Sequence, residues 1–298
     1  MKKVFAISIG LMMAISVFGQ SIKVTPTLKK GMVKTYSVTT TMIAVGQTVN
    51  VTSEEKFTVT KETSNGFEMT MESSNFKSDG DNQNLMGRLA TLGEEMMKDC
   101  KIQIRLDKEG RVVEVVNYED VKAKALASGN KLIDDLLEAA PEISQLLSKE
   151  QLQQQLAGEL TPERLTKSLT ISSSPLALFG RTIATGMEDT YDNNMVTLKR
   201  LWVVIGKNIT ASSKTNMSRE ELKAYVLSQV EKTAPQQASM IKDNIDQVLD
   251  SGLLKLDVNE QASYELGDDL WVKSLETKTE SDIVGQKSSS QIKVQLKN

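Results

Sequence analysis

The residue types that most often perform acid–base chemistry at neutral pH are scarce in this sequence. It contains no histidine, which is the commonest general base near pH 7 and a frequent zinc ligand. It contains one cysteine, Cys100, which excludes a thiolate zinc site and an internal disulfide. A Ser-His-Asp triad and a Cys-His pair are likewise excluded. We therefore predict that the chain is not an enzyme and has no catalytic, cofactor or metal site.

One catalytic spacing, Ser-x-x-Lys, does occur, in five places. A serine acyl-enzyme uses it on a helix, where both side chains share a face. Three copies fall in strand-like segments, where residues three apart point to opposite faces. Ser128 is followed by Gly129 and Asn130, which predict a helix break. Only Ser239 and Lys242 lie on a predicted helix, and the companion motifs are missing, so we interpret the spacing as chance.

Residues 79–82 resemble the opening of a calcium-binding loop. The sixth position lacks the glycine and the twelfth lacks the acid that such a loop needs. We predict a polar turn instead, with Asp81 or Asn82 as the N-cap of a following helix.

Two further clusters have a chemical and a structural interpretation. Met96, Met97 and Cys100 recur at helical spacing and could hold Cu(I), but such a stripe more often packs in a core. The adjacent acids Asp268 and Asp269 could serve a glycosidase, although spacing alone does not separate them from a solvated turn. We favour the structural interpretation of both.

The first residues are typical of a secretion signal. Lys2 and Lys3 precede an apolar, uncharged run over residues 4–17, and Gly19 offers a small side chain for cleavage. The run is shorter than the roughly 20 residues that span a membrane. We expect residues 1–19 to be removed, no transmembrane or lipid anchor, and a periplasmic or secreted location.

The charge of the chain argues against nucleic acid as a partner. The formal net charge is −3, and removing a leader that contains two lysines makes it more acidic. No run of Lys or Arg exceeds two residues, whereas a nucleic-acid interface needs a basic surface to displace counterions.

Period-two alternation predicts strands in the N-terminal part. Residues 33–44, 47–60 and 66–76 are rich in β-branched and alternating apolar residues and are separated by glycine-containing turns. Residues 101–106 and 111–116 form the clearest hairpin, around a four-residue turn. We predict an antiparallel meander with one dry face that lines a core or a cavity.

Helical spacing of apolar residues predicts helices over 82–100, within 118–169 and in a pair between 218 and 250. Further strand-like runs follow the second helical block. The predicted helix starts are Ser148 with Gln151, Thr161 before Pro162, and Ser218 with Glu221. The predicted later strands are 182–197, 201–212, 253–264, 270–280 and 289–296.

This order predicts an α+β fold of curved antiparallel β-sheets, partial-barrel or cup-like, with amphipathic helices packed on one face. The segments are compatible with one continuous domain. They are a signal peptide (1–19), an N-terminal β-meander with one helix and a hairpin (20–117), a helical block (118–170), and a C-terminal β-rich half (171–298) with the helical pair (218–250).

Several features together resemble a family of exported proteins of Bacteroidota-type bacteria that carry a domain of unknown function. They are the leader ending in residues 18–20, Lys30 and Gly31 before Tyr36, the pattern Asp107, Gly110 and Val112, and Trp271 followed by polar strands. The resemblance implies an exported, β-rich protein. The architecture is also similar to that of periplasmic lipoprotein carriers, in which a curved sheet encloses an apolar cavity under helices.

Two functions remain open at this point. The first is an exported, non-catalytic protein that binds a hydrophobic ligand such as a lipid or acyl chain in a β-lined cavity. The alternative is a cell-envelope structural or protein–protein interaction protein with no small ligand. A connected apolar cavity would favour the first, and a filled core the second.

Overall fold

The computed structural model describes residues 19–44, 46–80, 87, 100–139, 148–192, 196–215, 217–233, 238–250, 256–283 and 286–297. Most of the predicted leader and the helix predicted over 82–100, with Met96 and Met97, lie outside these residues. The strands are β1 Ser21–Lys23, β2 Val33–Ala44, β3 Gln47–Thr63, β4 Gly66–Ser78, β5 Lys101–Asp107, β6 Val112–Val115, β7 Thr182–Ala184, β8 Glu188–Asp192, β9 Thr197–Ile205, β10 Asn208–Thr215, β11 Leu256–Leu266, β12 Val272–Ile283 and β13 Gln286–Leu296. The helices are α1 Tyr118–Ala139, α2 Lys149–Glu159, α3 Pro162–Ser168, α4 Arg219–Thr233 and α5 Ala238–Asp250.

Eleven strands form one antiparallel sheet, in the order β6-β5-β4-β3-β2-β13-β12-β11-β10-β9-β8, and β1 pairs with β7. The central pair joins the two ends of the chain, since Tyr36 on β2 lies opposite Leu296 on β13. The predicted antiparallel α+β architecture is therefore confirmed.

The face of the sheet that carries Tyr36, here called the inner face, is apolar near the end where β2 begins. Tyr36 contacts Phe57 edge-to-face with ring centroids 5.8 Å apart, and Phe179 contacts Trp271 in the same way at 5.0 Å. Trp271 also donates from Nε1 to the carbonyl of Thr27 at 2.9 Å. These side chains are buried, so this half of the inner face is a packed core.

The other half of the inner face is rich in hydroxyl groups. The strand register places these side chains on the same face as Tyr36. They are Thr40, Ser53, Ser73, Thr277, Thr279, Ser281, Ser288 and Ser290. The prediction of one uniformly dry face is therefore correct only near the core.

The described helices pack mainly on one another, which does not confirm the prediction that amphipathic helices cover one face of the sheet. In one pair, α2 lies so close to α1 that a Cβ on Gly129 would approach Leu156 Cδ2 to 2.3 Å. The predicted helix break at this glycine is wrong, because α1 continues through it and uses it for close packing. In the other pair, Arg219 and Lys223 of α4 form ion pairs with acids of α5.

The strands predicted over 182–197 and 201–212 have the wrong bounds. The first contains β7, a turn at Gly186, β8 and the start of β9. The second contains the end of β9, a turn at Gly206 with φ +61° and most of β10. Both glycines are turn signals in the sequence, but the surrounding β-branched residues favour a continuous strand, so the turns were not predicted.

Candidate functional site at the open side of the sheet

The two edge strands of the large sheet, β6 and β8, contact the same stretch of chain. This stretch, residues 162–181, is here called the seam segment, and it begins with α3. On one side, Arg111 donates from Nε to the Gly180 carbonyl at 2.8 Å. On the other side, Lys167 donates to Asp192 of β8 at 3.1 Å. The seam segment therefore bridges the two edges.

This bridging requires the sheet to curl. Eleven strands about 4.8 Å apart would place the edges of a flat sheet roughly 48 Å from each other. Instead, one cavity is lined both by Val112 of β6 and by Tyr191 of β8. The two edges therefore approach the same cavity, and among the described strands β6 and β8 do not pair with each other.

Local chemistry fixes the seam segment in place. Gly180 has φ +69°, and a Cβ at this position would lie 2.0 Å from Arg111 Cγ, so glycine is needed for both reasons. Tyr264 of β11 donates to the Ser172 carbonyl at 2.7 Å from the core side. Leu176 and Phe179, within the segment itself, are buried.

Asp189 lies where the seam segment meets β8. It accepts two hydrogen bonds from Arg200, at 2.8 Å from Nε and 2.9 Å from Nη2. It accepts a third from Trp202 Nε1 at 3.1 Å and a fourth from Arg181. One carboxylate therefore serves two guanidinium groups.

Aromatic rings hold Arg200 in this position. Its guanidinium lies 4.3 Å from the ring centroid of Tyr191 and 4.4 Å from that of Trp202. The Tyr191 hydroxyl donates to Glu260 on β11, and Thr279 donates to the other oxygen of Glu260 at 3.4 Å. Arg200 is buried, with 6% of its side chain exposed, whereas Arg181 retains 30%.

The charges of this cluster influence one another. Burial lowers the pKa of Arg181, and the nearby charge of Arg200 lowers it further. Burial alone would raise the pKa of Asp189, but the hydrogen bonds and charge of Arg200, followed by the charge of Arg181, hold it below its usual value. Asp189 is therefore ionised at neutral pH.

The cluster opens into a cavity of about 600 Å³, here called the seam cavity. Its lining combines apolar and charged side chains. The apolar side chains include Ile171, Leu176, Ala177 and Phe179, and the charged ones are Arg111, Lys167, Arg181, Arg200, Asp189 and Asp192. Four cations against two acids make the cavity positive within an acidic chain. Such a lining suits a ligand with an apolar part and a polar end.

In the structure, the acids considered above as candidate site residues make contacts that hold turns together. Asp269 accepts from Lys34 at 2.6 Å and from the backbone of Trp271 at 3.2 Å, and it holds the turn before β12. Asp268 pairs with Lys207 and is fully exposed. Asp79 binds the backbone and side chain of Asn50 at 2.6 and 2.7 Å, while the predicted N-caps Asp81 and Asn82 lie outside the described residues.

Two nucleophile candidates are also placed. Ser239 and Lys242 lie on α5, as predicted, and both are exposed to solvent. Cys100 is buried, and burial raises the pKa of its thiol. Neither position lines the seam cavity.

Sequence reasoning did not single out Arg200, Asp189 or Arg181. A signal for Arg200 was present: it occupies an inner-face position of β9 between Leu198 and Trp202, both of which are buried. A charged residue in the dry register of a strand must have a buried partner.

The comparisons with known proteins do not show which family this chain belongs to. It matches no protein-family model and no curated protein. Lipovitellin, described by its lipid–protein interactions, aligns with TM-score 0.40 and 10% identity over 91% of this chain and 26% of its own length. A porin-like protein from Bacteroides uniformis aligns with TM-score 0.20 and 8% identity over 92% of this chain and 99% of its own. This chain thus spans about a quarter of lipovitellin, and neither TM-score reaches 0.5.

None of the described helices has both the length and the apolar character that crossing a bilayer as a helix requires.

Proposed function

We propose that this chain is an exported, non-catalytic protein that binds a hydrophobic ligand, such as a lipid or acyl chain, in the seam cavity. The observation that carries the proposal is the cavity of about 600 Å³ between the sheet edges, with Ile171, Leu176 and Phe179 on its apolar side. Its volume lies within the range of about 300–1,000 Å³ typical of small-molecule sites. The packed core around Trp271 supplies the rigid frame.

Export is supported by the pattern of the first residues and is compatible with the fold. Cleavage after Gly19 leaves Gln20, whose side chain accepts from Gly206 at 2.9 Å and whose carbonyl accepts from Thr185 at 2.9 Å. The intact mass of protein recovered from the host's periplasm or medium should correspond to residues 20–298. Recovery of the uncleaved chain from the cytoplasm would contradict export.

Ligand binding is tested with N-phenyl-1-naphthylamine, a neutral probe whose fluorescence rises in an apolar site. Wild type should bind it saturably, and Ile171→Trp, which fills the half-buried cavity wall, should reduce the bound fraction several-fold. Ile43→Trp is the matched control, because Ile43 is 45% exposed on the outer face. Absence of saturable binding, or equal binding by both variants, would contradict the proposal.

A second candidate function is a protein–protein interaction role with no small ligand. It is favoured by two exposed apolar side chains on the outer face of β9, Leu201 (44% exposed) and Ile205 (55%). A folded wild-type protein that binds no probe would support this candidate over the first.

A further inference from the structure

The seam cavity contains one arginine whose hydrogen-bonding capacity is largely unused. A guanidinium has five N–H donors. Within the described part of the chain, the Arg181 side chain donates one hydrogen bond, to Asp189. Arg200, by contrast, spends two donors on the same carboxylate and is sandwiched between two rings. Arg181 can therefore donate hydrogen bonds to a further partner while its hydrogen bond to Asp189 stays in place.

The electrostatic environment favours an anion as that partner. Asp189 offers one negative charge to two guanidinium groups, whereas the other two cations of the lining, Arg111 and Lys167, each have an acidic partner of their own. The acids paired with these two are Glu109 and Asp192. The repulsion between Arg181 and Arg200 is thus only partly compensated by the protein, and a second anion would relieve it.

Arg181 also stands next to the apolar part of the lining. Its guanidinium lies 5.1 Å from the Trp202 ring centroid, and Phe179 and Ile171 line the same cavity. A ligand that places a charged group on Arg181 can therefore extend an apolar chain along these side chains. Arginine suits this role because its planar donors match the oxygens of a carboxylate or phosphate.

We infer that the ligand of the seam cavity is an amphiphile with an anionic head group, a carboxylate or a phosphate, and that Arg181 binds this head group. This inference rests on the function proposed above. It assigns Asp189 and Arg200 a positioning role, since they fix the orientation of Arg181 from the opposite side.

The test compares three ligands with the same alkyl chain: dodecanoic acid, dodecyl phosphate and 1-dodecanol. Calorimetric titration at about pH 8 keeps both acids ionised. At least one anion should bind about tenfold or more tightly than the alcohol, because a charge-assisted hydrogen bond is lost in the alcohol. The tighter anion identifies the carboxylate or the phosphate as the head group.

The variant Arg181→Gln should remove most of the difference between anion and alcohol. Arg105→Gln should preserve it, because Arg105 is an exposed arginine on β5 that pairs with Glu114 away from the cavity. Arg181→Lys keeps the charge but loses the planar donors and should lie between. If Arg181→Gln does not fold, the inference is tested by the order of the three affinities in wild type and by the reduced anion preference of Arg181→Lys.

The outcomes separate the inference from the proposed function. If 1-dodecanol binds as tightly as both anions, the anionic head group is excluded and the binding function stands. If none of the three ligands binds, both are contradicted. If Arg181→Gln and Arg105→Gln lose anion affinity equally, Arg181 is not the binding residue.

Discussion

Asp189 on β8 lies directly opposite Arg200 on β9 and receives two of its N–H groups. This pair closes one side of the seam cavity and places a charge where strand alternation would put an apolar residue. Because Arg181 shares the same carboxylate, the pair also links the edge of the sheet to the seam segment.

Removing this carboxylate should destabilise the fold. Asp189→Asn leaves the buried guanidinium of Arg200 and the half-buried one of Arg181 without their shared counter-ion, and we expect a loss on the order of 3 kcal/mol in the free energy of unfolding. Urea denaturation at neutral pH measures it. Asp192→Asn, which weakens the exposed pair with Lys167, should cost less than about 1 kcal/mol.

The pH dependence of the same variant has a definite sign. The pKa of Asp189 is lower in the folded chain than its ordinary value of 3.8, so its stabilising effect is present above that pH and is lost as the pH falls further. The difference between wild type and Asp189→Asn should therefore shrink in acid. An unchanged difference below about pH 3 would contradict this.

Glu55 is a further charged residue on the inner face, between Tyr36 on β2 and Ser73 on β4. Among the described residues, nothing donates a hydrogen bond to its carboxylate or pairs with it, and burial raises its pKa to about 7. Because the folded-state pKa exceeds the ordinary 4.5, Glu55 lowers stability progressively from about pH 4.5 to 7, and the cost persists above that.

The variant Glu55→Gln should therefore be more stable than wild type at about pH 8, by up to about 3 kcal/mol, and nearly equal to it at about pH 4. Urea denaturation at the two pH values checks this. Glu54→Gln is the control on the outer face: Glu54 pairs with Lys297, which lowers its pKa, so its loss should not stabilise. A destabilised Glu55→Gln at pH 8 would show that a ligand or proton partner uses this carboxylate.

Trp271 should be the most sensitive position of the core. Trp271→Ala removes contacts with Phe179 and Phe57 and should cost about 3–5 kcal/mol. Trp271→Phe keeps a ring but loses the hydrogen bond to Thr27, and should cost less. Thermal and urea unfolding measure both; if the alanine variant lies within about 1 kcal/mol of wild type, the packed core described here is wrong.

The thiol of Cys100 should be inert in the folded protein. It is 7% exposed, and burial raises its pKa, so the reactive thiolate is scarce at neutral pH. Labelling with a chromogenic disulfide reagent should be slow until denaturant is added. The variant Cys100→Ser with Thr60→Cys, an exposed position on β3, should label at once. Equally fast labelling of native wild type would contradict the burial.

Local sequence signals predicted much of the fold. The hairpin of β5 and β6 is present, and Ser148 with Gln151, Thr161 before Pro162, and Ser218 with Glu221 form the expected caps. These features depend on neighbours within a few residues. The pairing of β2 with β13 joins segments about as far apart as the chain allows, so no local pattern could reveal it.

The candidate site lay beyond local patterns for a related reason. Arg111 is distant in sequence from Arg181 and Arg200, and the three line one cavity only because both edges of the sheet approach the seam segment. The sequence does contain one unusual feature on each of two strands, a charged residue at a position where the alternation predicts a buried apolar one. These residues are Arg200, two before Trp202, and Glu55, two before Phe57. A charged residue at such a position indicates a candidate site, because a buried charge is costly unless a partner compensates it.

The most direct test of the central claim is a crystal structure of the protein soaked with 12-bromododecanoic acid. We expect ordered ligand in the seam cavity, with the carboxylate at Arg181 and anomalous bromine density along the apolar wall near Phe179. Bromine density only at other sites, or an empty seam cavity at saturating ligand, would contradict it.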